Sequence, residues 1–177
     1  EIETGVTTFF LQHEIDTGNI ILQEKISIAE NENAGDIHDK LMFLGAKTVL
    51  KTVDLIIENN VNAIPQSGNL VLKSAPKIFK ETCQINWNND AVSIFNFIRG
   101  LSPFPGAWFE WILPDNIKSI VKVFVFILEL CQHNHSIGTI VSGNECFKVA
   151  VKDGYLKILN LQVPDRKSTR LNSSHLY

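Results

Sequence analysis

The stretch that decides the fold runs from residue 98 to 108: Ile98-Arg99-Gly100-Leu101-Ser102-Pro103-Phe104-Pro105-Gly106-Ala107-Trp108. Before it, Val92, Phe95 and Ile98 recur at helical spacing from a start near Asn88 or Asn89, and Gly100 is a natural residue for ending that helix. Within it, two prolines flanking Phe104 and followed by glycine make a rigid turn. After it the period changes. Ala107–Leu113, Ser119–Leu130, Thr139–Val141, Phe147–Val151 and Tyr155–Leu161 read as strands, with Gly138, Gly143 and Gly154 between them. One helix followed by five short strands predicts a small barrel of the oligonucleotide-binding type over residues 91–164.

Working toward the amino terminus, residues 64–90 change character. Pro65, Gly68 and Pro76 break any long period, and Lys73, Lys77 and Lys80 punctuate the stretch, which reads as a linker. Residues 1–63 form a different unit. Val6–His13 and Ile20–Ile28 read as two strands, with Asp16-Thr17-Gly18-Asn19 as the turn chemistry between them. Asn33 and Asp36 stand in capping-box relation, and Ile37, Leu41, Leu44, Thr48, Leu55 and Ile56 make an apolar stripe, predicting a helix over residues 35–59. The fold class expected is therefore α/β followed by all-β.

Composition bounds the function without naming it. The 177 residues are 45% hydrophobic and 20% charged, ordinary globular values that argue against wholesale disorder. The longest apolar run, Val123–Leu128, is far too short for a membrane span. Residue 1 is Glu and no basic-then-apolar leader follows, so no secretory signal is expected. Cys83, Cys131 and Cys146 are widely spaced and odd in number, which argues against a disulfide framework and for a reducing, cytoplasmic compartment. Residues 1–63 carry a net charge of −7, residues 64–90 and 91–164 each +1. Charge alone therefore makes a weak case for nucleic acid.

Several side chains invite chemistry. Asp16-Thr17-Gly18 could belong to a paired-carboxylate protease, but one copy would require a dimer, and plain turn chemistry explains the residues more economically. His13 could serve as a base beside Asp16. His133 and His135, with Cys131, have the alternation of metal ligands, yet they sit in a polar loop-like stretch, and no metal is expected. Trp108, Phe109 and Trp111 could stack on bases or pack into a core. Arg99 could reach a phosphate or balance a helix C-terminus.

A linked series of motifs carries a resemblance. Glu3-Thr4-Gly5-Val6-Thr7, Asp16-Thr17-Gly18, Leu41 with Gly45, Ala75-Pro76-Lys77-Ile78, Lys80-Glu81, Ile85-Asn86-Trp87, Ile98-Arg99-Gly100 and Pro103-Phe104-Pro105-Gly106-Ala107-Trp108 resemble, in order and spacing to about Pro164, the methionyl-tRNA formyltransferase family. The resemblance implies the end of a Rossmann-like catalytic domain (1–63), a linker (64–90) and a C-terminal OB-like tRNA-binding domain (91–164). It implies formyl transfer from 10-formyltetrahydrofolate to the amino group of methionine on initiator tRNA. It also implies catalysis by an Asn, a His and an Asp. The Asp falls on Asp16, with Thr17 and Gly18 contacting substrate. The Asn and His, and the main folate loop, belong to an upstream stretch, so the chain by itself is expected to be inactive. Lys77 and Lys80 match basic linker positions of the family, and Arg99, Lys118, Lys122 and Lys148 are further tRNA-binding candidates. A monomer with no membrane partner is expected. Two alternatives stand beside this reading: a related enzyme acting on a sugar amine or on the folate itself, and a non-catalytic RNA-binding barrel. Residues 165–177 are read as an artefact tail, because Asp165–His175 back-translates to a common sequencing adapter.

Overall fold

The computed structural model describes residues 1–66, 73–112, 118–142 and 147–163, and the backbone of 169–170. Gly68, Leu113, Gly143, Cys146 and the remainder of the tail lie outside the described residues. The chain divides into two units, Glu1–Pro76 and Lys77–Tyr177.

In the first unit, β1 (Glu3–Phe9) and β2 (Ile20–Ser27) form an antiparallel hairpin, with Thr7 opposite Gln23 and Gly5 opposite Lys25. Gly5 is required there, since a Cβ would lie 2.3 Å from the Glu24 carbonyl oxygen. The first strand ends earlier than the sequence suggests. After a register shift at Thr8/Phe9 the chain makes one more bond, from Phe10 N to Asn19 O, and then departs into the connecting loop. Helix α1 (Ala34–Ile57) packs on the hairpin. Its predicted cap is present: the Asn33 side chain accepts from Gly35 N and Asp36 N, and Asp36 accepts in return from Asn33 N. The contact between helix and hairpin is partly polar. Thr48 and Thr52 are its buried residues, and Thr52 and Thr8 join hydroxyls at 2.8 Å. Ile56, expected on the packed stripe, is instead 45% exposed, on a second apolar face with Met42, Val49 and Val53.

The second unit begins at Lys77, so residues 77–90, which read as linker, are packed into it. Cys83 and Ile85 are buried, Ile85 N donates to Trp108 O, and Glu81–Cys83 form a turn of 3-10 helix. Helix α2 spans Ala91–Leu101. Its cap is Asp90 rather than Asn88 or Asn89, because those asparagines close a turn on Asn86. Asp90 accepts from Ser93 N and Oγ, and Asp153 accepts from Ala91 N. Gly100 is helical. The helix ends at Ser102, where proline follows and no further helical N–H is available. Gly106, at φ +84°, makes the turn into the first strand of the sheet.

That sheet contains β3 (Ala107–Ile112), β4 (Lys118–Leu130), β5 (Ile140–Ser142), β6 (Phe147–Val151), β7 (Gly154–Gln162) and β8 (Thr169–Arg170). Its order is β3-β4-β7-β6-β5, antiparallel throughout, with β8 on β7 opposite Asn160 and Leu161. Two residues of the stretch set aside as a tail thus pair with the sheet. The sheet curls into an OB-like half-barrel around Ile94, Ile98, Val121, Val149, Leu156 and Ile158, all fully buried. The architecture is the expected one, α/β followed by a curled all-β sheet.

Candidate functional site

Asp16 lies in the loop between β1 and β2 with φ +58°, a left-handed conformation that Asp tolerates better than most side chains. The loop is braced from below. Gln66 Nε2 donates to Asp16 O and Gly18 O, each at 2.8 Å, and Thr17 Oγ1 donates to Glu14 O at 3.0 Å. Gly18 is buried against the end of β1, where a Cβ would fall 1.5 Å from Phe10 O. Backbone bonds therefore hold the turn, and the Asp16 carboxylate makes no hydrogen bond or ion pair among the described residues. It is an exposed acceptor on a fixed backbone, free to meet a substrate or a partner side chain. His13 makes no hydrogen bond to it.

The other histidines bond within the fold, although Nδ1 of His133 is buried without a partner among the described residues. His133 Nε2 bonds Val151 O at 2.7 Å and so carries the proton as donor, while His135 Nδ1 bonds the Tyr155 hydroxyl at 2.6 Å. No cluster of three metal-ligating side chains occurs among the described residues. The aromatic trio divides. Phe109 is buried edge-on to Trp87, Trp111 leans on Phe147, and Trp108 lies at the rim with its indole N–H fixed to Lys80 O at 2.7 Å.

The six basic candidates also separate. Lys118 pairs with Glu110 at 2.9 Å and Lys148 with Glu129 at 2.7 Å. The Glu129 contact raises the Lys148 pKa above its ordinary value. Arg99 bonds Asn96 and lies over the Phe95 ring. Lys77 lies 5.5 Å from the Phe79 ring centre. Lys80 and Lys122 face one cavity of about 500 Å³, shared with Phe79, Phe104, Trp108 and Ile120. Lys122 Nζ is held at its wall by Pro105 O at 2.8 Å. Sequence reasoning missed this cavity, because its lining comes from three separated stretches that only the fold brings together. No helix among the described residues is long and apolar enough to cross a membrane.

Comparison with known proteins covers both units. The model for the formyl transferase C-terminal domain matches residues 77–174, and the formyl transferase model matches residues 1–53. The chain is 47% identical to methionyl-tRNA formyltransferase of Bacteroides thetaiotaomicron, over 99% of this chain and 55% of that protein. It is 49% identical to that of Azobacteroides pseudotrichonymphae, over 94% and 53%. The chain thus spans about half the length of the curated relatives it matches. Among solved structures, HypX from Aquifex aeolicus in complex with tetrahydrofolic acid superposes with a TM-score of 0.69 at 18% identity, covering 98% of this chain and 29% of that one. WlaRD, a sugar 3N-formyl transferase solved with dTDP and 5-N-formyl-THF, gives 0.63 at 23%, covering 94% and 57%. At these identities the superpositions speak for the fold alone.

Proposed function

The chain belongs to the formyl transferase family, and from that premise we propose that it is part of an enzyme that moves a formyl group from 10-formyltetrahydrofolate to the amino group of methionine on initiator tRNA, in the cytoplasm. The observation that carries this reading is the 47% identity to a methionyl-tRNA formyltransferase over 99% of this chain, through both units. A sugar-modifying relative is supported only by likeness of fold.

The chemistry gives Asp16 a task. An amine attacking a formyl carbon forms a new C–N bond and places negative charge on the carbonyl oxygen. Donors must hold that oxygen. The attacking nitrogen must lose a proton, and the departing folate nitrogen must gain one. The Asp16 carboxylate holds a neighbouring imidazole in its charged, oriented form, or passes the proton through a water. The Gln66 brace keeps the carboxylate's backbone still while it does so. Thr17 and Gly18 shape the turn against which the substrate lies. The resemblance assigns the holding of the carbonyl oxygen to an Asn and a His that match no position of this chain. Lys77, Lys80 and Lys122 contact phosphates of the tRNA, with Arg99, Lys118 and Lys148 further along the barrel. Reversing the charge of Lys77 and Lys80 together weakens tRNA binding and flattens its dependence on salt.

The test is a chimera in which this chain replaces the matching half of the Bacteroides thetaiotaomicron relative. It formylates initiator methionyl-tRNA and leaves a dTDP-amino sugar untouched. In single-turnover assays Asp16→Asn slows transfer by about 10²–10⁴-fold while circular dichroism is unchanged. Formylation of the sugar instead, or a near-normal rate for Asp16→Asn, contradicts the proposal.

A further inference from the structure

We infer that the cavity between the 78–83 stretch, the Pro-Phe-Pro turn and β4 receives one unstacked nucleobase of a single-stranded RNA segment, with Lys80 and Lys122 holding its phosphates. The inference rests on the RNA-substrate reading above and adds a place where an individual base is held.

Three observations carry it. The cavity measures about 500 Å³, within the range of small-molecule sites and ample for a base with its ribose. Its apolar wall is aromatic, from Phe79, Phe104 and Trp108, and a π-face accepts any base. Two of these rings are not filling the core, Phe104 being 83% exposed and Phe79 54%, while Trp108 is half-buried against it. The Trp108 ring cannot swing away, since its N–H is bonded to Lys80 O.

The charge is complementary as well. The Lys80 side chain makes no hydrogen bond or ion pair among the described residues, so its ammonium is available at the rim. Lys122 uses one of its three donors on Pro105 O, and the other two remain for an anion. No acidic side chain lines the cavity. Gly106 allows this geometry, because a Cβ there would meet the Lys122 and Phe124 side chains at 3.2 and 3.1 Å, besides the strain at its positive φ. An apolar, aromatic slot with ammonium groups on its edge suits a nucleotide and would leave the lysines of little use to an uncharged peptide. A paired base in a duplex cannot enter, as its faces are covered by its neighbours.

The experiment uses the full chain and two probes, fluorescein-labelled single-stranded hexa-adenylate and a blunt twelve-base-pair RNA duplex. The single strand binds more tightly than the duplex per phosphate and quenches tryptophan emission, and Trp108→Phe removes the quenching. Phe104→Ala, at an exposed site where folding is preserved, weakens the single strand about tenfold or more and the duplex less than about twofold. Equal losses for both probes, no loss for either, or binding of neither overturns the inference. Its failure is separable from that of the formyl-transfer reading. If the chimera formylates tRNA but Phe104→Ala leaves single-strand binding intact, only the base pocket falls. If the single strand behaves as expected and the chimera does not formylate, only the enzyme reading falls.

Discussion

The two units of this chain bury themselves very differently. Every fully or nearly buried apolar side chain among the described residues lies between Cys83 and Leu161, in the second unit. The first unit has only Thr48, Thr52 and Gly18 in that class. Its helix instead exposes Phe43, Leu50 and Ile57, and the loop carrying Asp16 exposes Leu11 and Ile15. Folding costs roughly 1–2 kcal/mol of backbone entropy per residue, which apolar burial must offset. The second unit has that burial in hand; the first has a hairpin, a well-capped helix and a thin contact. The residue assigned to the chemistry thus sits in the unit that depends on further apolar surface. The cavity assigned to the base sits in the one that stands alone.

After Asp16→Asn, the largest effect is expected at Gly18. Gly18→Ala drives a Cβ into Phe10 O, shifts the Asp16 turn, and lowers single-turnover formylation by the chimera about 10²-fold. A rate within twofold of the parent would show that the turn's position is not critical. Next, Ile98→Ala destabilises the second unit by about 2–5 kcal/mol in chemical denaturation, while Leu44→Ala, half-buried on α1, costs less than half as much. Equal costs would mean that the first unit has a core after all. Smaller again, Asn33→Ala lowers α1 stability by about 1 kcal/mol, read from helical circular dichroism during thermal unfolding.

The smallest effect is one of pH. The Ser93 hydroxyl, and then its backbone N–H, hold the Asp90 carboxyl below the ordinary carboxylate range. Because the folded pKa lies below the unfolded one, the stabilisation is complete above about pH 4 and fades as pH falls through the lowered value. The Tm advantage of the parent over Asp90→Asn should shrink as pH falls below about 4. A gap that widens with acid would reverse the sign.

Much of this was legible in the residues themselves. The Asn33–Asp36 box announced α1, and the apolar stretch Phe147–Val151 announced β6, because both signals are local. The start of α2 was not: three polar residues in a row could each cap it, and the choice fell to a turn closing on Asn86 and to Asp153, 62 residues away, reaching Ala91 N. The basic candidates show the same limit. Lys118 and Glu110 meet diagonally across the β3–β4 register, and Lys148 reaches over the Tyr155 ring to Glu129 two strands away. No spacing along the chain displays either pairing. The resemblance supplied Asp16, whereas the Gln66 brace, 50 residues further on, needed the fold.

Among the described residues, the Asp16-bearing unit has no buried apolar core of its own, while the barrel unit does. Native-state hydrogen exchange on the intact chain tests it most directly. The slowest amides are expected in β4, β7 and α2, opening only with global unfolding of the second unit, while those of α1 and the β1–β2 hairpin exchange by local opening at far lower free energy. Amides of α1 protected as strongly as those of β4 would contradict it.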